Sequence, residues 1–365
     1  MKIIHFHPDE RMAAIFVVPL MNAEREAGYQ TELIYSDYQF GRTGEVMPFN
    51  LSASNLFSIP LTLWRVWAHI KKRARVEVVF CHNSRAAPIP LLCAKLAGVN
   101  SRVYVNHGVP YVAYRGFLRW TLRMLECWNC ALATHVLTVS EDMVSLLRDV
   151  GRCVRPRVIQ HGSACGIVLS DYAPDSHNRL AWRSLNGLRD EDFVVVYVGR
   201  PERRKGFELV LRLWAEFLDD THFKLVLCGP RSDDVLKYFS SVPPNVICLG
   251  FVNNVPEVLL SSDMLILPSY HEGLSYACLE ALAAGLPVVA NKCDGITCVV
   301  EHGVSGLLVD NNDIKTYVAF IRLIESGEVI VQSLRQQAKI RAGQFSRDIF
   351  MPSYIAFLRE LLCDS

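Results

Sequence analysis

The chain has 365 residues, 38 Lys+Arg against 37 Asp+Glu, a formal net charge of +1, and is 51% hydrophobic and 21% charged. That balance excludes a disordered chain and leaves length for two domains, each able to bury its own core. The 12 cysteines lack the close spacing of a disulfide scaffold, and the one Cys-x-x-Cys, Cys127 to Cys130, has no second pair at zinc-finger distance, so reduced thiols and no bound metal are expected.

The opening MKIIHFHPDE is an apolar strand followed by acids rather than a signal peptide, and no apolar run reaches the roughly 18 residues of a membrane span. A cytoplasmic location is the expectation. Short β-rich runs then alternate with helix-period segments, the pattern of βαβ units and a parallel sheet. In the first series MKIIHF, TELIYS, VEVVFCH, SRVYVNH and HVLTVS read as strands, with helices over 12–27, 61–74, 86–97, 115–131 and 141–150. Gly28 and Gly98 stand where helix C-caps belong. The polar stretch 170–192 marks the domain boundary, at about residues 165–190, after which FVVVYVG, FKLVLCG, NVICLG, MLILPS, PVVAN and GLLVD form a second strand series. Segment 345–362 reads as a terminal amphipathic helix. Residues 1–180 hold 20 bases against 14 acids, and between Arg65 and Glu126 there are 11 bases to two acids, so an anionic partner is expected for the first domain. Trp64, Trp67, Tyr111, Tyr114, Phe117 and Trp120 are interleaved with those bases, a combination suited to docking on an anionic membrane surface. The same tryptophans also fit the core of a helix-rich domain. No one segment reads as a clean two-faced interfacial helix.

In open α/β sheets, ligands bind outside the carboxyl ends of the strands. Neither a dinucleotide fingerprint nor a Walker A loop is present, and no nucleic-acid partner is indicated. Asp190-Glu191-Asp192 precedes a strand, at the wrong end of a sheet to hold a metal with a diphosphate, and reads as a solvated turn. The turn Gly199-Arg200-Pro201-Glu202-Arg203-Arg204-Lys205-Gly206 follows a strand and leads into a helix, where Arg200 and Lys205 would sit beside the positive helix N-terminus and suit a diphosphate. Further on, LPSYHEGLSYACLEALAAGLPVVA reads as strand, turn, helix and strand. Glu272 falls in the turn beside the amides of Gly273, Leu274 and Ser275, and Glu280 two helical turns later, about 12 Å along the axis if the helix starts at once. Either the two acids address two ends of one ligand, or Glu272 partners the helix dipole and Glu280 is a surface acid.

GR-x4-KG, E-x7-E, the following ALAAGLPVVA, Asn106-His107-Gly108, VLTVSEDM at 136–143 and the junction VIQHGSACGI at 158–167 together resemble the family 4 retaining glycosyltransferases of the GT-B fold, in the bacterial branch that builds surface polysaccharides and lipid-linked oligosaccharides. The resemblance implies two Rossmann-like doubly wound domains facing a central cleft: an acceptor domain over 1–165, a donor domain over 166–345, and a terminal helix over 346–365 crossing back to the first domain. It implies further that Arg200 and Lys205 hold the donor diphosphate, that Glu272 contacts the transferred sugar and Glu280 the ribose, that Gly229 and Val252 flank the base, and that His107 reaches the sugar from the first domain. A UDP-sugar donor and a polyprenyl-diphosphate-linked acceptor follow from the same likeness. Independence from metal is expected because Arg200, Lys205 and the helix amides after Glu272 can hold the leaving group while the D-x-D is misplaced, and the cytoplasmic face of a membrane because of the basic and aromatic residues of the first domain. One departure is His7-Pro8-Asp9-Glu10, where many members carry a Gly-Gly turn that approaches the donor phosphates; His5 and His7 are the candidates to replace that contact. The competing readings are a GT-B nucleotide-sugar 2-epimerase and a non-enzymatic nucleotide-binding protein. E-x7-E with the junction motif speaks against the first, and the presence of His107, Arg200, Lys205 and Glu272 against the second.

Overall fold

A computed structural model describes residues 1–35, 45–46, 59–73, 76–150, 155–173 and 176–363. Among the described residues there are two six-stranded sheets, and every strand pairing within them is parallel. The first holds β1 (Lys2–His7), β2 (Gln30–Tyr35), β3 (Glu45–Val46), β4 (Val76–His82), β5 (Ser101–Asn106) and β6 (His135–Thr138). The second holds β7 (Phe193–Val198), β8 (Phe223–Cys228), β9 (Val246–Gly250), β10 (Met264–Leu267), β11 (Val288–Asn291) and β12 (Leu307–Val309). Their orders are β3-β2-β1-β4-β5-β6 and β12-β11-β10-β7-β8-β9. Both are the same doubly wound order, which reverses between β1 and β4 in one sheet and between β7 and β10 in the other, and such reversals open the crevice where ligands bind.

Two compact units follow: residues 1–166 together with the chain from 347 on, and residues 167–346. Helices bury both faces of each sheet, so the strands are apolar throughout rather than alternating. On one face of the first sheet Val78, Phe80, Val103 and Val105 pack against Phe350, Tyr354, Phe357, Leu358 and Leu361 of the helix Arg347–Cys363. On the other face Val79, Cys81 and Tyr104 join the core around Leu91 and Cys93 of the helix Pro88–Ala97.

Three expectations need correction. The helix expected over 12–27 is two, Glu10–Phe16 and Val18–Glu26, parted at Val17. Pro19 has no N–H to donate and its ring crowds the carbonyl of Ile15, which breaks the helix there. The units divide between residues 166 and 167, at the early edge of the boundary expected at about 165–190, and the polar stretch 170–192 belongs to the second unit, where it holds a 3-10 turn, Leu169–Tyr172, and a helix, Ser176–Leu185. Arg183 of that helix is 1% exposed, pairs with Asp263 at 2.7 Å and donates to the carbonyls of Ser261, Asp190 and Asp192, which satisfies a buried guanidinium. The turn Asp190-Glu191-Asp192 is solvated only at its first two residues. Asp192 is buried and capped by the Arg189 backbone N–H at 2.9 Å and guanidinium at 2.7 Å, so it is an internal brace. The strand Glu45–Val46 was not anticipated. Residue 74 of the expected helix 61–74, and Arg75, lie outside the described residues.

Candidate active site

At the reversal point of the second sheet, the turns after β7 and β10 lie side by side. The hydroxyl of Tyr197 on β7 donates to the carbonyl of Arg200 at 2.9 Å, pinning the turn that carries the basic residues. Gly206 closes that turn with φ +70°, and a Cβ there would stand 2.0 Å from the carbonyl oxygen of Pro268, so only glycine lets the two turns touch. Gly229, after β8, has φ +112° and would bring a Cβ within 2.1 Å of the Gly199 carbonyl oxygen. The backbone of Gly229 is thereby held against the same turn, and Val252 is half-buried just beyond β9.

Lys205 donates to both carboxylate oxygens of Glu272, at 2.7 and 2.9 Å. Glu272 is 4% exposed, and Arg204 stands 3.7 Å from its other side. Removing a partner from so buried an ion pair would strand a charge. Arg200 is well exposed and turns back to Glu202 at 2.9 Å, leaving it free to reorient toward an anion. Glu272 is fixed from behind: its N–H donates to the Asp294 carbonyl at 3.1 Å, and Gly295 packs against it so closely that a Cβ would lie 2.4 Å from its carbonyl oxygen. Asn291 at the end of β11 donates to the carbonyls of Pro268 and Ser269, at 2.9 and 3.1 Å, and accepts from the Tyr317 hydroxyl at 2.8 Å. These turn-bracing groups (Tyr197, Asn291, Gly295) were missed in the sequence.

The helix that carries Glu280 runs Tyr276–Ala283, with Ser275 as its N-cap, so it does not begin at Glu272 and the two acids are not two turns apart on one helical face. Nor is the Ser275 amide an open donor, because it is spent on the Gly295 carbonyl at 2.8 Å. Gly273 and Leu274 belong to the connecting turn. Glu280 is no surface acid: burial raises its pKa to about 7, against the lowering effect of a hydrogen bond from the Tyr172 hydroxyl. Tyr172 comes from the polar stretch read only as a domain boundary, so this neighbour of Glu280 was missed in the sequence.

In the first unit, Asn106-His107-Gly108 follows β5. Asn106 is completely buried, and it donates to the Tyr104 hydroxyl at 2.9 Å, while its Oδ1 accepts from the Gly108 N–H at 3.0 Å. Tyr104 in turn donates to Glu126 at 2.7 Å. Burial lifts Glu126 to about 7. His107 is half-buried, its Nε2 is 3.1 Å from Nδ1 of His82, and burial pushes its pKa down to about 3. The strand-one loop corrects another expectation. His5 is fully buried and turned inward onto Glu24 and His82, His7 is 3% exposed with Nδ1 2.7 Å from the Asp9 carbonyl, and Asp9 caps the next helix through the Met12 N–H. His5 is therefore not placed to meet a phosphate, and burial lowers His7 to about 4, leaving it uncharged.

The exposure of the aromatic residues decides between the two expectations for the basic and aromatic region, and one segment is two-faced after all. Trp64, Phe117, Trp120 and Trp128 are 58–78% exposed rather than packed in the core, whereas Tyr111 is buried. The helix Gly116–Leu132 is two-faced: Phe117, Trp120, Met124 and Trp128 line the outer side at helical spacing, and Glu126, Asn129 and Cys130 the inner. Arg115, Arg119 and Arg123 flank the outer side, and Lys71 and Lys72 are exposed at the end of the helix Ile59–Lys72. Arg73 and Arg102 are committed elsewhere, to Glu32 at 2.9 Å and to the Leu132 carbonyl at 2.9 Å. No helix among the described residues is long and apolar enough to cross a membrane.

Residues 178–343 match the family of glycosyl transferases group 1, and residues 15–162 match the glycosyl transferase 4-like domain. An Escherichia coli UDP-Gal:alpha-D-GlcNAc-diphosphoundecaprenol alpha-1,3-galactosyltransferase is 25% identical over 367 residues, covering 92% of this chain and 94% of that protein. A Campylobacter jejuni N,N'-diacetylbacillosaminyl-diphospho-undecaprenol alpha-1,3-N-acetylgalactosaminyltransferase is 25% identical over 301 residues, 79% of this chain and 78% of the other. Among solved structures, Anabaena HepE in complex with UDP and glucose superposes with a TM-score of 0.83 at 18% identity, covering 98% of this chain and 99% of that one.

Proposed function

The chain belongs to the GT-B glycosyltransferases, with a glycosyl transferase 4-like first half and a group 1 second half, and on that premise we propose a retaining enzyme that moves a hexose or N-acetylhexosamine from a UDP-sugar to a polyprenyl-diphosphate-linked glycan acceptor. The observation that carries this reading is the Lys205–Glu272 pair, 2.7 Å apart at the reversal point of the second sheet with Arg200 beside it. The curated relatives bear names that specify a diphosphoundecaprenol or diphospho-undecaprenol acceptor, and the first of them names UDP-Gal, which supports the choice of donor nucleotide and acceptor class.

In the proposed reaction the bond between sugar C1 and the diphosphate oxygen breaks, and its electron pair leaves with UDP. Arg200 and Lys205 neutralise the charge that develops on the departing diphosphate, the place where preorganised electrostatics lower a barrier most. These fixed cations fill the role that a divalent ion plays elsewhere, so no metal is required. Glu272 orients the sugar and holds Lys205, Glu280 takes the ribose hydroxyls, and Gly229 and Val252 border the base. The acceptor hydroxyl attacks C1 on the face the leaving group vacates, its proton passes to the departing phosphate oxygen, and the new C1–O bond keeps the original configuration. His107 binds a sugar hydroxyl from the first domain. The exposed aromatic stripe of the helix Gly116–Leu132, with its flanking arginines and Lys71 and Lys72, supports docking on an anionic membrane where a lipid-linked acceptor resides.

Calorimetry with UDP, GDP and ADP, followed by transfer assays with the matching sugar conjugates on a polyprenyl-diphosphate-GlcNAc acceptor, tests the reading. UDP should bind and a UDP-hexose or UDP-N-acetylhexosamine should give an α-linked product. Binding of GDP or ADP in preference to UDP, or epimerisation of UDP-GlcNAc without acceptor, refutes it.

A further inference from the structure

Three adjacent strands of the first sheet, β1, β4 and β5, bring one histidine each to the carboxyl edge: His5, His82 and, just past the end of β5, His107. The rings form an unbroken chain. Nε2 of His5 is 3.0 Å from a carboxylate oxygen of Glu24, Nδ1 of His5 is 3.1 Å from Nε2 of His82, and Nδ1 of His82 is 3.1 Å from Nε2 of His107. Glu24 also accepts from the Tyr354 hydroxyl, which comes from the helix Arg347–Cys363. Glu24, His5 and His82 are 0–1% exposed, so no solvent competes for these bonds. Only the far end of the chain, His107, is half-open. Among the described residues, Nδ1 of His107 has no hydrogen-bond partner.

We propose that Glu24, His5 and His82 are positioning residues that dictate the tautomer of His107, protonating its Nε2 and leaving the lone pair of Nδ1 to accept a hydrogen bond from a substrate hydroxyl. The direction follows from a count of protons. A carboxylate only accepts, so it takes Nε2–H of His5, and a neutral ring then has a bare Nδ1. That lone pair demands Nε2–H from His82, whose bare Nδ1 demands Nε2–H from His107. Running the chain backwards would aim the lone pair of His5 at a carboxylate or require an imidazolium at His5. Burial depresses the affinity of His82 and His107 for a second proton, which favours neutral rings. His7, whose ring centroid lies 5.7 Å from that of His82 and 6.2 Å from that of His107, is a further titratable group beside the chain and is held neutral by its own burial.

The role of His107 toward substrate rests on the proposed function, but its tautomer does not. A bare Nδ1 selects for a hydroxyl, a hydrogen-bond donor, and repels a carboxylate, so the site should take neutral sugars and reject uronic acids. The relay extends over 330 residues of sequence, from Glu24 to Tyr354, and ties the substrate-facing imidazole to the terminal helix.

Nitrogen-15 NMR of the full chain labelled at histidine gives the test, since a bare and a protonated ring nitrogen resonate far apart. The wild type should show His107 with a bare Nδ1 and protonated Nε2. Glu24→Gln can donate as well as accept, which releases the direction of the chain, so the Nδ1–H form of His107 should appear and kcat should fall by about 10–100-fold with the donor KM little changed. Glu24→Asp should restore the wild-type tautomer and part of the rate, and Tyr354→Phe should leave the tautomer as it is. A wild-type His107 protonated on Nδ1, or an imidazolium at His5, overturns the relay whatever the activity. A His107→Ala variant with undiminished transfer would instead refute the catalytic reading of His107 while leaving the tautomer assignment intact.

Discussion

Glu126 lies beneath the loop that carries His107, and its replacement by glutamine should stabilise the protein in a pH-dependent way. The carboxyl is completely buried, accepts from the Tyr104 hydroxyl at 2.7 Å through one oxygen, and makes no hydrogen bond through the other among the described residues. Burial raises its pKa to about 7 from the ordinary 4.5, against the lowering effect of hydrogen bonds from Ser84, Tyr104 and Asn106. The native state thus keeps a proton that the unfolded chain releases between those two values. Protons bound more tightly in the fold make stability fall as pH rises, so the loss begins near pH 4.5 and is complete above about 7. At about 1.4 kcal/mol per pKa unit, the shift corresponds to a penalty of about 3 kcal/mol at pH 8. Glutamine keeps an acceptor for Tyr104 and carries no charge. Urea denaturation of wild type and Glu126→Gln should therefore give similar stabilities near pH 5 and a variant more stable by about 2–3 kcal/mol near pH 8. Glu280, raised in the same direction, is present in both proteins and cancels in the difference. A stability difference that does not change between those pH values would refute the claim that Glu126 ionises at a cost inside the fold.

Lys205→Ala should lower kcat/KM by about 100-fold or more, the scale of losing one donor to a developing anion, and a near-normal rate in steady-state kinetics would remove Lys205 from the reaction. Transfer should survive excess EDTA; complete loss restored by Mg²⁺ or Mn²⁺ would overturn the metal-free mechanism. Gly295→Ala places a Cβ 2.4 Å from the Glu272 carbonyl oxygen at φ +76°, so thermal melts should show a loss of about 1–3 kcal/mol and assays a loss of transfer through a displaced Glu272. Wild type should co-sediment with anionic vesicles at low salt, and Lys71→Glu with Lys72→Glu should weaken that binding while transfer to a short soluble acceptor persists; failure of the wild type to sediment would end the membrane reading.

The doubly wound architecture was legible because parallel strands buried on both faces read as continuous apolar runs, and because Gly28 and Gly98 mark helix ends, both with positive φ. That the Arg200–Lys205 turn and the Glu272 turn stand at strand ends was legible in the sequence, but the Lys205–Glu272 ion pair that joins them was not. What escaped were features in which polarity ran against position. In the helix Gly116–Leu132 the inner face holds Glu126 and Asn129 and the outer face Phe117 and Trp120, so a hydropathy pattern points the wrong way. Segment 170–192 was read only as a boundary because its buried member is Arg183, whose charge is met by carbonyls and Asp263 that no local pattern reveals. The histidine chain could not be seen at all, since residues 5, 24, 82, 107 and 354 meet only once β1, β4, β5 and the terminal helix are in place.

The return of the helix Arg347–Cys363 to the first sheet makes the second unit an insertion within the first. Its two ends are tied together, the Ile167 N–H donating to the Phe345 carbonyl at 2.9 Å, so residues 167–346 leave and re-enter the first unit at nearly one point. Synthesis from the ribosome consequently completes the domains in an order opposite to that in which they begin. The second sheet has all its strands while Val78, Phe80, Val103 and Val105 still lack the apolar cover supplied by Phe350, Phe357, Leu358 and Leu361. Until those last residues emerge, one side of the first sheet is a sticky surface, and a nascent chain stalled near residue 346 would be a natural client for a chaperone.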